Sequence, residues 1–308
     1  MNKSAPVLFL FFNRPNQALR TFREIAKYKP RILYLSSDGA RVDVLGEEAV
    51  VFGLREQIEA IIDWDVEVVK LYAPENQGCA KKVSEAITVA LSRTGRLIVL
   101  EDDCLPAPEF FDFVEWGFKE YDCDQQVGSI SGTRLNPDRS KQAIFSSVPH
   151  IWGWALWERG WEGYSLDMNN DLVRILDAID HSGAVDHRCR KAWKELINMM
   201  SKNPFYTWDY QFLINSIRLE KLNLVPGQNL ITNIGYGKNA THTLTEHSRF
   251  GELARENWIH TGVRIDICSD KKYSDFVQRE YLFGLLSWRS LIFRIKRQIL
   301  LKAAIFRK

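Results

Sequence analysis

The chain has 308 residues, of which 45% are hydrophobic and 26% charged; that apolar content excludes a disordered chain and allows one large α/β domain or two smaller ones. Its 41 basic and 39 acidic side chains leave a net charge of +2, so no global field calls for nucleic acid. The balance hides two unlike parts: residues 1–280 carry 34 basic and 39 acidic groups, whereas residues 281–308 carry seven basic groups and no acid.

Residues 6–12 form an apolar run that predicts a buried first strand, followed by a helical pattern over 16–28. Residues 31–36 read as a second strand ending in Ser37-Asp38-Gly39, and 47–62 as a helix with Val51, Leu54, Ile58 and Ile61 in step. A third strand over 66–72, a turn at Asn76-Gln77-Gly78 and a helix over 79–92 follow. The fourth strand, 96–100, runs straight into Glu101-Asp102-Asp103. This alternation through Tyr121 predicts a largely parallel sheet covered by helices on both faces. Beyond it, strands are expected over 127–133, 143–148 and 230–234, and helices over 171–180, 186–200 and 208–219. A Trp-rich segment occupies 151–161 and a polar loop 235–243. No repeat or low-complexity linker divides the chain.

Five scattered cysteines, Cys79, Cys104, Cys123, Cys189 and Cys268, are odd in number and form no C-x-x-C pair. That pattern argues against a disulfide framework or a zinc ribbon and suits a reducing compartment. No stretch approaches the roughly 20 apolar residues that a membrane span needs, and a buried first strand fits residues 6–12 better than a signal peptide. A cytoplasmic protein is expected.

In an open parallel sheet, ligands bind beyond the carboxyl ends of the strands. Asn13-Arg14, Asp38 and the acidic triplet all lie there. Neither G-x-G-x-x-G nor G-x-x-x-x-G-K-[ST] occurs, so a nucleotide would be held without those fingerprints. Three adjacent carboxylates repel one another unless a cation or donors compensate them, and a solvated strand end is the plain alternative. Delivered by an apolar strand to the ligand edge, they point to a hard-cation site for Mg²⁺ or Mn²⁺.

The ordered set Val7–Arg14, Ser37-Asp38, Leu97–Asp103 with Pro108-Glu109-Phe110-Phe111, Gly153-Trp154, Trp208-Asp209 and Thr241-His242 resembles the nucleotide-sugar glycosyltransferases of the GT-A fold. It is similar in particular to the GlcNAc transferase family that begins complex N-glycan branching, and to bacterial family-2-like transferases. The resemblance runs from about Ala5 to His242. It implies a D-x-D-type site in which Asp103 ligates the metal, Glu101 and Asp102 lie near the donor sugar and ribose, and Arg14 and Asp38 contact the nucleotide. Lys82 or its neighbour Lys81 would approach the diphosphate. Trp208-Asp209 matches the catalytic-base position, so Asp209 would take the acceptor proton in an inverting displacement. Gly153-Trp154 would sit near the donor, and a loop with Lys238, Thr241 and His242 would cover the diphosphate.

Other readings stay open. Asp38-Gly39 is also common turn chemistry, and Asp209 could cap the helix that follows it. Trp152, Trp154, Trp157 and Trp161 could form an acceptor platform or fill core. The tail places Trp288, Leu291, Ile292, Ile295, Ile299 and Ala303 on one helical stripe among bases, which suits an anionic membrane surface or a docked terminal helix. The expected organisation is a catalytic domain over 1–265, divided at 125/126 into nucleotide and acceptor halves, with a helical tail over 266–308. The expected enzyme transfers a sugar from a UDP-type donor to a glycan or lipid-linked acceptor in polysaccharide assembly, peripheral on the inner membrane face. A sugar-phosphate nucleotidyltransferase and a catalytically silent carbohydrate-binding protein are the rivals.

Overall fold

The computed structural model describes residues 4–135, 141–203, 207–235 and 253–283. It begins with β1 (Val7–Phe11), whose five residues are all buried. Next, α1 (Pro15–Tyr28) opens on proline, whose missing N–H costs nothing in the first helical turn, and ends at Lys29 with φ 55°. The alternation predicted from the sequence then runs through β2 (Ile32–Ser37), α2 (Glu47–Ala60), β3 (Glu67–Tyr72), α3 (Cys79–Thr94) and β4 (Arg96–Glu101). Beyond them lie β5 (Cys104–Pro106), α4 (Pro108–Glu120), β6 (Val127–Ser131), β7 (Ile144–Ser146) and β8 (Trp154–Trp157). After β8 come α5 (Glu158–Trp161), α6 (Leu172–His181), α7 (Arg190–Lys202), α8 (Asp209–Arg218), β9 (Leu222–Val225) and β10 (Ile231–Asn233). The described chain closes with α9 (Lys271–Phe276), which continues into a π-helical turn, Val277–Leu282.

Eight strands form one sheet in the order β3-β2-β1-β4-β8-β6-β9-β7. Six run in one direction; β8, set between β4 and β6, and the edge strand β7 run against them. The architecture is a mostly parallel α/β sheet with helices on both faces. Alternate β1 residues feed opposite layers. Val7, Phe9 and Phe11 pack with Phe22 of α1 and Phe110 and Phe113 of α4, while Leu8 and Leu10 pack with Ile87 of α3 and Trp154 of β8. Burial on both faces explains why β1 reads as an unbroken apolar run rather than an alternating one. Each large side chain so buried contributes about 1.5–3 kcal/mol of transfer free energy.

Three short strands lie outside the elements expected from the sequence, β5 being the first. Within the Trp-rich segment, for which the sequence predicts no element, Trp154–Trp157 forms β8, hydrogen-bonded on both sides. Leu222–Val225, which the sequence reading left unassigned, forms β9 beside β6. β8 and β9 are four-residue strands buried along most of their length, too short to display a period.

Register sets the ligand edge. Leu10 lies opposite Glu101, and Phe11 opposite Ser37, so β1, β2 and β4 end at one level. There β5 turns off from the acidic triplet and pairs antiparallel with β10, Asn233 facing Cys104. Residues 269–283 pack onto the body: Ser269 bridges Phe145, and Gln278, fully buried, accepts from the Trp193 indole N–H at 3.0 Å. Residues 284–308, with the tail stripe, lie outside the described residues.

Candidate functional site

Arg14 leaves the end of β1 and turns over the triplet. Its Nη1 donates to Asp103 Oδ2 at 2.9 Å and to Asp102 Oδ1 at 3.3 Å. The guanidinium is therefore the fixed counter-charge that three adjacent acids require. Asp102 is buried, and the Thr21 hydroxyl donates to its backbone carbonyl at 2.9 Å. Burial, and then the neighbouring carboxylates, hold Glu101 and Asp102 above the ordinary carboxylate range, with Arg14 pulling them back. An added cation in this corner would relieve that repulsion.

Asp103 is the outermost of the three. Its backbone carbonyl accepts from Ile234 N–H at 2.8 Å, extending the β5–β10 pairing by one bond. Gly235 follows, so close to the carboxylate that a Cβ there would come within 2.1 Å of Asp103 Oδ2. Among the described residues no three His, Cys, Asp or Glu side chains converge as a metal cage. What is present is one accessible carboxylate backed by two more. That fits Mg²⁺ or Mn²⁺ as these ions usually bind, through one or two carboxylates plus ligand oxygens and water.

Asp38 sits at the end of β2, and its carboxylate joins two loops. Oδ1 accepts from the N–H groups of Gly39 and Gln77, and Oδ2 from Gly78, each at 2.9 Å. These bonds couple the β2 exit to the start of α3 and leave little of the carboxylate for another donor. Arg55, buried beneath, donates to the carbonyls of Ser37, Asp38 and Ala73. In the first turn of α3, Lys82 is half-buried; burial lowers its pKa, and Asp38 opposes the shift. Lys81 points elsewhere and pairs with Glu85 at 3.8 Å.

Asp209 is the first residue of α8. Its Oδ1 accepts from Tyr210 N–H at 2.8 Å and from the Thr207 hydroxyl. Neither bond caps the helix in the usual way, because a capping carboxylate accepts from an N–H two or three residues on. Oδ2 accepts no hydrogen bond among the described residues. Below it, Trp208 and Trp154 stack at 5.9 Å and 18°, both buried. Of the residues expected at the donor, these two tryptophans thus form the floor under Asp209 rather than an exposed platform. Lys238, Thr241 and His242 lie outside the described residues.

Two residues at this edge were not singled out from the sequence. Cys79 opens α3, exposed as a residue, with its thiol pushed up by desolvation and then by Glu101, Asp209, Asp38 and Asp102. Glu47, buried at the start of α2, accepts from Asn13 Nδ2 at 2.7 Å and from Arg41 N–H at 2.8 Å, tying the loop after Asp38 to the turn that carries Arg14. A lone thiol and a helix-start glutamate have no local signature; both are revealed by partners distant in sequence.

No family model and no curated protein matches the chain. Among solved structures it is similar to the mannosyltransferase PcManGT from Pyrobaculum calidifontis in complex with GDP-Man and Mn²⁺, at 14% identity over 70% of this chain and 69% of that one, TM-score 0.36. It is similar also to a UDP-glucose pyrophosphorylase complexed with UDP-glucose, at 10% identity over 75% and 94%, TM-score 0.36. A third is HddC from Yersinia pseudotuberculosis, at 12% identity over 52% and 80%, TM-score 0.34. Likenesses this low transfer no function.

Proposed function

We propose that the chain is a divalent-cation-dependent glycosyltransferase that moves a sugar from a nucleoside diphosphate donor, of the UDP type, to an acceptor hydroxyl. One observation carries the reading: the strand edge holds two kinds of carboxylate. Asp102 and Asp103 are bound to Arg14, whereas Asp209, on a separate element, keeps one oxygen open. The first kind suits a divalent cation that would meet an anionic leaving group, and the second suits a proton acceptor.

On this reading the nucleotide lies across the ends of β1 and β2, near Arg14 and Asp38, with Glu101 and Asp102 beside the donor sugar and ribose. Asp103 holds Mn²⁺ or Mg²⁺, which when bound neutralises the diphosphate. Asp209 Oδ2 takes the proton from the acceptor hydroxyl while that oxygen bonds to the anomeric carbon. The bond to the diphosphate oxygen breaks with its electron pair, Arg14 and Lys82 balance the developing charge, and the anomeric centre inverts. The same reading assigns Lys238, Thr241 and His242 to the diphosphate, on the segment that leaves Gly235 beside Asp103. The acceptor is a glycan or lipid-linked saccharide of polysaccharide assembly, met at a membrane surface through the basic tail.

A sugar-phosphate nucleotidyltransferase is the second reading, although the turn after β1, Asn13-Arg14-Pro15, has no glycine and its cation is engaged by Asp102 and Asp103. One experiment separates them. With a nucleotide-sugar panel and Mn²⁺, nucleoside diphosphate should be released or a glycoside formed, and Asp209→Asn should bind donor yet lose transfer. Pyrophosphate release from a nucleoside triphosphate and a sugar 1-phosphate, with no glycosyl transfer, would replace this reading by the second.

A further inference from the structure

An open groove of about 440 Å³ lies between α3 and residues 164–167. Its volume falls in the roughly 300–1,000 Å³ range of small-molecule sites. Ser84 and Thr88 of α3 form one wall; Tyr164, Ser165, Leu166 and Asp167 form the other. The second wall is held rigidly. Tyr164 stacks on Trp161 at 3.9 Å and 14°, and the Trp161 indole N–H donates to the Thr88 hydroxyl at 3.0 Å.

The groove is tied to the candidate base by its own wall. The Tyr164 hydroxyl donates to the carbonyl of Trp208 at 3.0 Å, one residue before Asp209. Burial and then Asp209 push the Tyr164 phenol up, so this wall of the groove borders the segment that carries Asp209.

Its chemistry narrows the ligand. The accessible surface is mainly apolar, from Val89, Leu166 and the Tyr164 ring, with two carboxylates, Glu85 and Asp167, at the rim. Ser165 Oγ donates to the Asp167 carbonyl at 2.7 Å, and Asp167 Oδ1 accepts from Asn169 N–H at 3.0 Å, so the Asp167 carboxylate is held in place. Lys81, the cation near this wall, is taken up by Glu85. Among the described residues, the groove lining itself holds no cation to bind a phosphate or a second nucleotide. C–H surfaces flanked by fixed carboxylate acceptors suit a ring bearing several hydroxyls, which donates to the carboxylates and lays its C–H face on the apolar wall.

We propose that this groove is the acceptor subsite, receiving an uncharged, polyhydroxylated glycosyl group and presenting one of its hydroxyls to Asp209. The assignment rests on the transferase reading of the site. Its test uses p-nitrophenyl hexopyranosides as probes with the full chain. Saturation-transfer NMR reads binding without donor; with nucleotide-sugar and Mn²⁺, diphosphate release to water and transfer to the probe are followed separately. At least one probe should bind saturably. Val89→Trp, which fills the groove from an exposed helix position, should abolish that binding, and Glu85→Gln with Asp167→Asn should raise the probe's KM by about ten-fold or more, as expected for lost charged hydrogen bonds. Donor hydrolysis should stay unchanged in all variants. Unaltered probe binding and KM in both variants, or no saturable binding by any hexopyranoside, would overturn the groove assignment. Probe binding that obeys the variants while no nucleotide-sugar is ever cleaved would overturn the transferase reading and leave a saccharide-binding groove. If Val89→Trp is unfolded by circular dichroism, the double carboxamide variant carries the same decision.

Discussion

The Asp103 carboxylate is fixed from two directions, by Arg14 donating at 2.9 Å and by the bare backbone of Gly235. Any side chain at 235 would collide with Oδ2, so alanine there must push the carboxylate off Arg14 or push β10 away from β5. The expected outcome for Gly235→Ala is a loss of Mn²⁺-dependent donor affinity of about ten-fold or more, the scale on which supporting contacts affect metal sites. Isothermal titration of nucleotide-sugar with and without Mn²⁺ checks this; an Ala variant with wild-type affinity would show that Asp103 does not need its present position. Much of the site was legible at this scale, because Arg14, Asp38 and the triplet each stand at the end of an apolar strand. Partners were harder to see. The Asp38 carboxylate is used by amides 39 and 40 residues away, and Gly235 meets an aspartate 132 positions earlier; no local pattern encodes such meetings. Trp154 and Trp208 show the same limit, since a tryptophan stacked under a site and one lining it have the same neighbours in sequence.

Elements with a full period were read well; of the short strands, β7 and β10 fall inside expected strands whereas β5, β8 and β9 do not. Between β1 and α4, strands of five or six residues alternate with helices of at least 13, enough for both periodicities to show; β5 is the exception, at three residues. In the second half, β7 and β10 have three residues each and β8 and β9 four, and long-range pairing decides them instead. The last described element gives the tail a firm root. Gln278 Oε1 accepts from Asp186 N–H at 3.1 Å and from Trp193, its amide donates to Ala184 O at 2.9 Å, and Arg279 pairs with Asp186 at 3.0 Å. Deletion of 288–308 leaves all of these bonds in place and removes the seven basic groups. Each base contributes roughly 1 kcal/mol near an anionic surface. The truncated chain should therefore unfold at the wild-type temperature but lose most sedimentation with phosphatidylserine vesicles at low salt, and the wild type should lose it as salt rises. Equal sedimentation of both chains would remove the tail as the membrane contact.

For the molecule as a whole, the buried His150 and Glu47 each add an acid-dependent contribution to stability, distinct from that of Glu101 and Asp102. His150 is fully enclosed, its Nδ1 accepting from Trp152 N–H at 3.4 Å, with Trp152 and Tyr281 packed on its ring. Burial holds its pKa down from 6.5 to about 3, so the folded chain keeps the imidazole neutral while the unfolded chain takes up a proton below pH 6.5. At His150 the unfolded state binds more protons across that interval, so its contribution falls as pH drops from 6.5 toward 3, against the opposite contribution of Glu101 and Asp102, whose raised pKa values let the folded chain hold protons there. Glu47 acts lower. Its hydrogen bonds from Arg41 bring it from 4.5 to about 2, so its contribution is complete above pH 4.5 and is lost as pH falls toward 2. The two windows overlap only below 4.5, which makes them separable. Between pH 6.5 and 4.5 the His150 proton alone contributes a slope of about 1.4 kcal/mol per pH unit. His150→Asn, though less stable at pH 7 because it leaves a gap beside two aromatic rings, should lose that contribution to the slope of chemical-denaturation stability across the interval, so its curve and the wild-type curve diverge. Glu47→Gln should leave the interval's slope intact and reduce the further loss below pH 4.5. Parallel wild-type and His150→Asn curves from pH 7 to 4.5 would mean that the imidazole is already protonated in the folded chain, and that the C-terminal element bearing Tyr281 packs against a charge.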